Sequence, residues 1–203
     1  MLRIDHLVLS ASSLAAAVPE VEARLGVSLA AGGEHGLMGT HNRLLSLGPG
    51  EYLELIAVNP AAPPPGRARW FGLDRFSGPP RLTHFVCATS GLDAALRMAP
   101  QGSGAPVALS RGDLRWQMAV TDSGQLPFDD CFPGLISWEG PAHPATRLPD
   151  HGLRLTALRL SHPRPDALAA GLRPLLADPR LEIVPGPPGL SAVLTTPEGE
   201  ICL

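Results

Sequence analysis

Arg3-Ile4-Asp5-His6-Leu7-Val8-Leu9-Ser10 returns twice along the chain without a gap, as Arg81-Leu82-Thr83-His84-Phe85-Val86-Cys87-Ala88 and as Arg154-Leu155-Thr156-Ala157-Leu158-Arg159-Leu160-Ser161. Each copy reads as a strand and runs into an Ala/Leu-rich stretch that reads as a helix, so an internal repeat organises the fold. The fourth position is histidine in the first two copies, His6 and His84, and alanine in the third, Ala157. Two copies can build a polar site and the third cannot.

Working outward from the first copy, strand alternation puts Ile4, His6, Val8 and Ser10 on one face and Asp5, Leu7 and Leu9 on the other. Ser12 or Ser13 caps a helix over Leu14 to Leu25, where Leu14, Val18, Val21 and Leu25 share a face and Gly26 closes the last turn. Pro19 fits that helix only near its first turn. A short strand near Val27 to Ala31, turn glycines (Gly32, Gly33, Gly36, Gly39), a strand over Asn42 to Leu47, a Gly48-Pro49-Gly50 turn and a strand over Tyr52 to Val58 complete a β-α-β-β-β unit. The same order follows Arg81 and Arg154. The predicted organisation is a first module over 1–59, a Pro-rich linker over 60–80 with Trp70, Phe71, Leu73 and Phe76 as a docked patch, a second module over 81–150, and a third, ligand-free unit over 151–203. The fold class is α+β. Two βαβββ modules pair into a cup with a small-molecule site, and the third covers it, extends it or mediates self-association as a homodimer.

The bulk numbers agree with a small-molecule partner. With 203 residues, a net charge of −3 and 44% hydrophobic content, the chain has material for a real core and no basic face for nucleic acid or acidic membranes. No apolar run has the length to cross a bilayer, and the chain enters its first strand without a leader, which reads as a cytoplasmic protein. Cys87, Cys131 and Cys202 form no CxxC pair and read as reduced thiols. Walker loops, GxSxG elbows and HExxH patterns do not occur.

Ile4-Asp5-His6-Leu7-Val8-Leu9, Gly39-Thr40-His41-Asn42-Arg43 and Tyr52-Leu53-Glu54-Leu55-Ile56 resemble the glyoxalase-like branch of the vicinal oxygen chelate superfamily, the glyoxalase/bleomycin resistance/dioxygenase fold. The resemblance is close over the first 60 residues and fades after Ser161. It implies paired βαβββ modules and a divalent metal ion (iron, manganese, zinc or nickel) held by His6, Glu54 and His84. It also implies a lyase/isomerase or dioxygenase acting on adjacent substrate oxygens, with His41 or Tyr52 as proton carrier. Two imidazoles and a carboxylate suit such an ion. Glu54 shares a strand face with Tyr52 and Ile56 and must be paired or metal-bound if buried, with Arg43 and Arg115 as alternative partners. The second module offers Glu139 as its carboxylate, or Ser137 inward in its place.

Three further expectations complete the reading. His143, His151 and His162 sit in Pro-rich connections and read as solvated loop residues. Gly199-Glu200-Ile201-Cys202-Leu203 aligns with Gly50-Glu51-Tyr52-Leu53-Glu54, which sets Leu203 where Glu54 stands and suggests the third unit lost both ligand positions together. A metal-free protein that sequesters an aromatic compound is the alternative, and it calls for an aromatic-walled cavity in a chain that is only 4% aromatic.

Overall fold

The computed structural model describes all 203 residues. The first module contains β1 (Arg3–Ser10), α1 (Leu14–Leu25), β2 (Ala30–His35), β3 (Thr40–Ser46) and β4 (Tyr52–Val58). The second contains β5 (Arg81–Ala88), α2 (Leu92–Met98), β6 (Ala105–Arg111), β7 (Leu114–Val120) and β8 (Gly134–Trp138). Helix α1 starts after Ser13 and stops at Gly26, whose φ of 71° is open to a residue without a Cβ. It runs on through Pro19, the sixth of its twelve residues and exposed, so this proline lies past the first turn to which the sequence reading confined it.

The eight strands of the two modules form a single sheet with the order β2-β3-β4-β1-β5-β8-β7-β6. Within each module the last strand runs parallel to the first, and β1 meets β5 antiparallel at the centre. The sheet curls until its two edge strands touch: the Arg111 side chain at the end of β6 lies against β2 and β3, within hydrogen-bond reach of His35 and Asn42. A cup results, with an apolar interior that includes Val8, Ile56, Trp116, Met118 and Ile136.

Two features of β2 depart from the sequence reading. Gly32 and Gly33 are strand residues at an irregularity of the β2–β3 ladder, not turn residues. A Cβ on Gly32 would stand 2.0 Å from Asn42 Oδ1, and one on Gly33 would stand 2.5 Å from Arg111 Cδ. Both positions leave room for side chains of the cup.

The third unit contains β9 (Arg154–His162), α3 (Pro165–Leu172), β10 (Leu181–Pro185), β11 (Gly189–Thr196) and β12 (Gly199–Cys202). Its element order repeats β-α-β-β-β, but its sheet runs β10-β9-β11-β12. Here β9 pairs with the strand that follows the helix, and β12 lies at the far edge. Leu203 therefore has no structural correspondence with Glu54, and the joint loss of two ligand positions is not a property of equivalent sites.

The third unit covers the outer side of the large sheet. Leu155, Leu158, Leu160, Leu168, Leu172 and Leu194 join Leu7, Leu9, Leu53, Phe85 and Leu135 in one continuous core with α1 and α2. Arg180 adds a paired contact, donating from Nη1 and Nη2 to the two Glu51 oxygens at 2.8 and 2.6 Å. Truncating Leu160, which is fully buried, should lower stability by about 2–5 kcal/mol. Far-UV and near-UV denaturation curves of the Leu160→Ala protein should still coincide as one transition, and an early separate transition of the third unit would contradict a shared core.

Candidate functional site

A β-bulge decides the site. The β1–β5 ladder slips between Ile4 and His6, so Ile4 joins Leu7 and Leu9 in the outer core while Asp5 and His6 both serve the cup side. Simple alternation would have buried Asp5 among leucines, where an ionised carboxylate without partners costs several kcal/mol.

Asp5 is fully buried and receives three N–H donors. His6 Nδ1 lies 2.7 Å from Oδ1, while Trp138 Nε1 and His143 Nε2 each lie 3.0 Å from Oδ2. Burial alone would raise the Asp5 pKa, but the hydrogen bonds from His143 and His6 outweigh it and hold the carboxyl well below the usual carboxylate range. His143 is thus a buried structural donor and not a solvated loop residue; its Nδ1 accepts from the Ala145 N–H, which fixes the Nε2–H tautomer. His162 is also buried, 3.1 Å from Asp129. His151 is exposed, as expected.

With Nδ1–H given to Asp5, the His6 lone pair is on Nε2, which faces Glu54 Oε2 at 3.6 Å. Tyr52, opposite His6 on β4, stacks on the imidazole at 4.5 Å with an 18° tilt. Burial pushes the Tyr52 hydroxyl well above its ordinary pKa, and the Asp5 and Glu54 charges add to this. Tyr52 is therefore a protonated platform for His6 at neutral pH. Glu54 pairs with neither Arg43 nor Arg115; its Oε1 accepts from Asn42 Nδ2 at 2.5 Å. The Asn42 side-chain oxygen Oδ1 in turn accepts from Gly33 N–H at 2.8 Å and from Arg111 at 3.2 Å.

His35 completes the polar wall. Its Nδ1 donates to Thr40 Oγ1 at 3.0 Å and its Nε2 accepts from Arg111 at 3.3 Å. Burial pushes its pKa from the ordinary 6.5 down to about 3, with the Arg111 charge acting in the same direction. The guanidinium is consequently the fixed positive charge of a narrow cleft, whose remaining walls are aromatic and apolar. All three tryptophans of the chain, Trp70, Trp116 and Trp138, line it.

The structure brings His6, Glu54 and Tyr52 together and sets His41 and His84 apart from them. His41 faces away from the cleft, because Asn42 is the inward residue of β3; burial and the nearby Arg43 lower its pKa. His84 lines a different cleft, with Nε2 3.4 Å from Asp130 Oδ1. On β8 the inward residues are Ile136 and Trp138, and Glu139 is exposed. No three His, Cys, Asp or Glu side chains converge into a set able to hold a metal ion. His6 and Glu54 alone, beside the Arg111 cation, do not fit a resident divalent ion, which needs at least a third protein donor.

A family model for the glyoxalase-like domain matches residues 4–176, and the chain belongs to that family, within the vicinal oxygen chelate superfamily. Among solved structures, a hypothetical protein from Staphylococcus aureus matches 100% of this chain and 84% of its own, with a TM-score of 0.60 and 13% identity. Its likeness extends over the third unit. Methylmalonyl-CoA epimerase from Mycobacterium tuberculosis matches 68% of this chain and 88% of its own, with a TM-score of 0.43 and 20% identity. A hypothetical protein from Bacillus halodurans matches 70% and 96% respectively, with a TM-score of 0.44 and 14% identity. A search of the curated proteins finds no match. No helix is long and apolar enough to cross a membrane.

His35 makes stability depend on pH in a defined direction. Between about 6.5 and about 3 the unfolded chain binds a proton that the folded chain refuses, so stability should fall as pH is lowered through that window. Asp5 acts lower, because its folded pKa is depressed: its contribution is present above the ordinary 3.8 and is lost as pH falls below it. Urea unfolding of wild type and His35→Gln at pH 7.5, 6 and 4.5 should show a shallower pH dependence in the variant. Parallel curves would contradict the burial of neutral His35.

Proposed function

We propose that this protein is an enzyme that moves a proton next to the carbonyl of a small acidic substrate with adjacent oxygens, a lyase or isomerase type of chemistry. The observation that carries the reading is the chain of contacts from Asp5 through His6 to Glu54, set in a cleft whose cation is Arg111. Asp5 holds the imidazole by Nδ1, so Nε2 is the nitrogen left to accept or return a proton. Glu54, oriented by Asn42, faces that nitrogen and is the second proton carrier. Arg111 would bind a carboxylate of the substrate or the oxyanion that develops as a C–H proton leaves. Tyr52 stacks on the imidazole, and Trp138 donates to the Asp5 carboxylate that holds it.

A resident iron, manganese, zinc or nickel ion held by His6, Glu54 and His84 finds support in two of those residues and none in the third, so no step is routed through it.

A second reading has its own support. The concentration of the three tryptophans with Phe71 around one cleft is the aromatic lining that a sequestering protein would use. The two readings part on turnover. Deuterium incorporation from solvent into pyruvate and other small enolisable 2-oxo acids, followed by proton NMR, should be catalysed by wild type. His6→Gln and Glu54→Gln should each slow it by about 10²–10⁴-fold. Asp5→Asn should slow it as well, by presenting the wrong His6 tautomer. Binding without exchange by wild type would favour sequestration, and exchange that survives His6→Gln would sink the proposed proton carrier.

A further inference from the structure

The interior polar atoms that lack partners are not scattered. Buried side-chain nitrogens without a hydrogen-bond partner in the protein are His41 Nε2, Arg67 Nε, Trp70 Nε1 and His84 Nδ1, while His84 Nε2 has only the Asp130 carboxylate at 3.4 Å. Arg67 and Trp70 lie in the linker, and the His84 ring lies 5.1 Å from the ring of Phe71. Three of the four orphaned atoms thus belong to the linker or to the residue beneath it, where leaving them unpaired is a persistent cost.

Backbone strain falls on the same spot. Phe71 has φ 57°, in the left-handed region that a side chain with a Cβ avoids, and Gly72 follows at 60°. The pair holds the short 3-10 segment Trp70–Arg75 against the cup, tied by Gly72 N–H donating to Gly124 O at 2.9 Å. The strained side chain is buried and lines more than one cavity. Phe71 lines the His6 cleft on one side and, on the other, the wider, more open cleft that contains His84, Thr83, Asp130, Arg75 and Phe76.

We infer that the Phe71 ring occupies a ligand subsite. When a ligand binds, Phe71 leaves, the two clefts join, and a flat ring of the ligand takes its place between Trp70 and His84 while an anionic group of the ligand meets Arg111. Phe71 sits 5.7 Å from the Trp70 ring and 5.1 Å from the His84 ring, the spacings at which aromatic rings pack. Departure of Phe71 relieves its left-handed backbone and uncovers the His84 ring, whose Nδ1 has no partner, to a polar substituent or to water. The ligand class is a compact aromatic anion. This inference rests on the His6 cleft being the ligand site and deepens that reading.

Calorimetric titration of the full chain with benzoate, with acetate as the anion without a ring and with benzyl alcohol as the ring without a charge, tests it. Benzoate should bind tightest of the three, and Phe71→Ala should bind benzoate at least tenfold more tightly than wild type with acetate unchanged. Arg111→Gln should weaken benzoate at least tenfold. Saturating benzoate should speed amide hydrogen exchange over residues 67–76 of wild type, a readout that holds even if Phe71→Ala fails to fold. Equal benzoate affinity in wild type and Phe71→Ala, no benzoate binding to either, or exchange over 67–76 that is unchanged or slowed would each overturn the subsite. The Phe71→Ala effect should persist in a His6→Gln background, so loss of proton exchange with retention of that effect would count against the catalytic reading alone.

Discussion

A carboxylate with no water around it is tolerable only when donors replace the water, and Asp5 has three. Those donors come from β1 itself, from the end of β8 and from the connection that leads into the third unit, at His6, Trp138 and His143. One buried charge thereby ties the first module to the second and fixes the orientation of the imidazole that faces the cleft. Removing any donor would leave part of the charge uncompensated in a site of low polarity, so the arrangement of His6 is enforced by the fold and not by its own preference. The second constraint is the meeting of the two sheet edges through Arg111, which closes the cup and supplies its positive charge.

The catalytic potential follows from how these two constraints meet. Asp5 decides which nitrogen of His6 is free, Asn42 decides which way Glu54 points, and His35 stays neutral beside Arg111 because burial and that same charge forbid its protonation. Asn42 stands at the junction, giving its amide N–H to Glu54 and taking the guanidinium on its oxygen. The absence of a Cβ at Gly32 and Gly33 is what lets Asn42 and Arg111 reach each other. A change at either glycine would therefore act on the electrostatics of the cleft through packing alone.

Much of this fold could be read from the sequence. The repeated strand start, the helix bounded by Ser13 and Gly26, and the strand Tyr52–Val58 are local signals of period and capping, and they stand where the spacing put them. Within the site, His6, Glu54 and Tyr52 were legible because their strand faces follow simple alternation. Asp5 was not, since a one-residue bulge reverses the face it occupies, and a bulge leaves no mark in an apolar strand. Arg111 lies 76 positions from His35, and only closure of the sheet brings them together. His143 looked like a solvated loop residue because a Pro-rich stretch conceals that its chain folds back onto Asp5. The third unit repeats the element order but not the pairing, a distinction that belongs to register and tertiary packing.

The account turns on the tautomer of His6. Long-range nitrogen–proton NMR of histidine-labelled protein at neutral pH, assigned through the loss of signals in His6→Gln, reads it directly. The account predicts a protonated Nδ1 with a strongly downfield proton, bonded to Asp5, and a shift of the His6 nitrogens in Asp5→Asn. A neutral His6 with its proton on Nε2, or one whose nitrogens do not respond to Asp5→Asn, would contradict it.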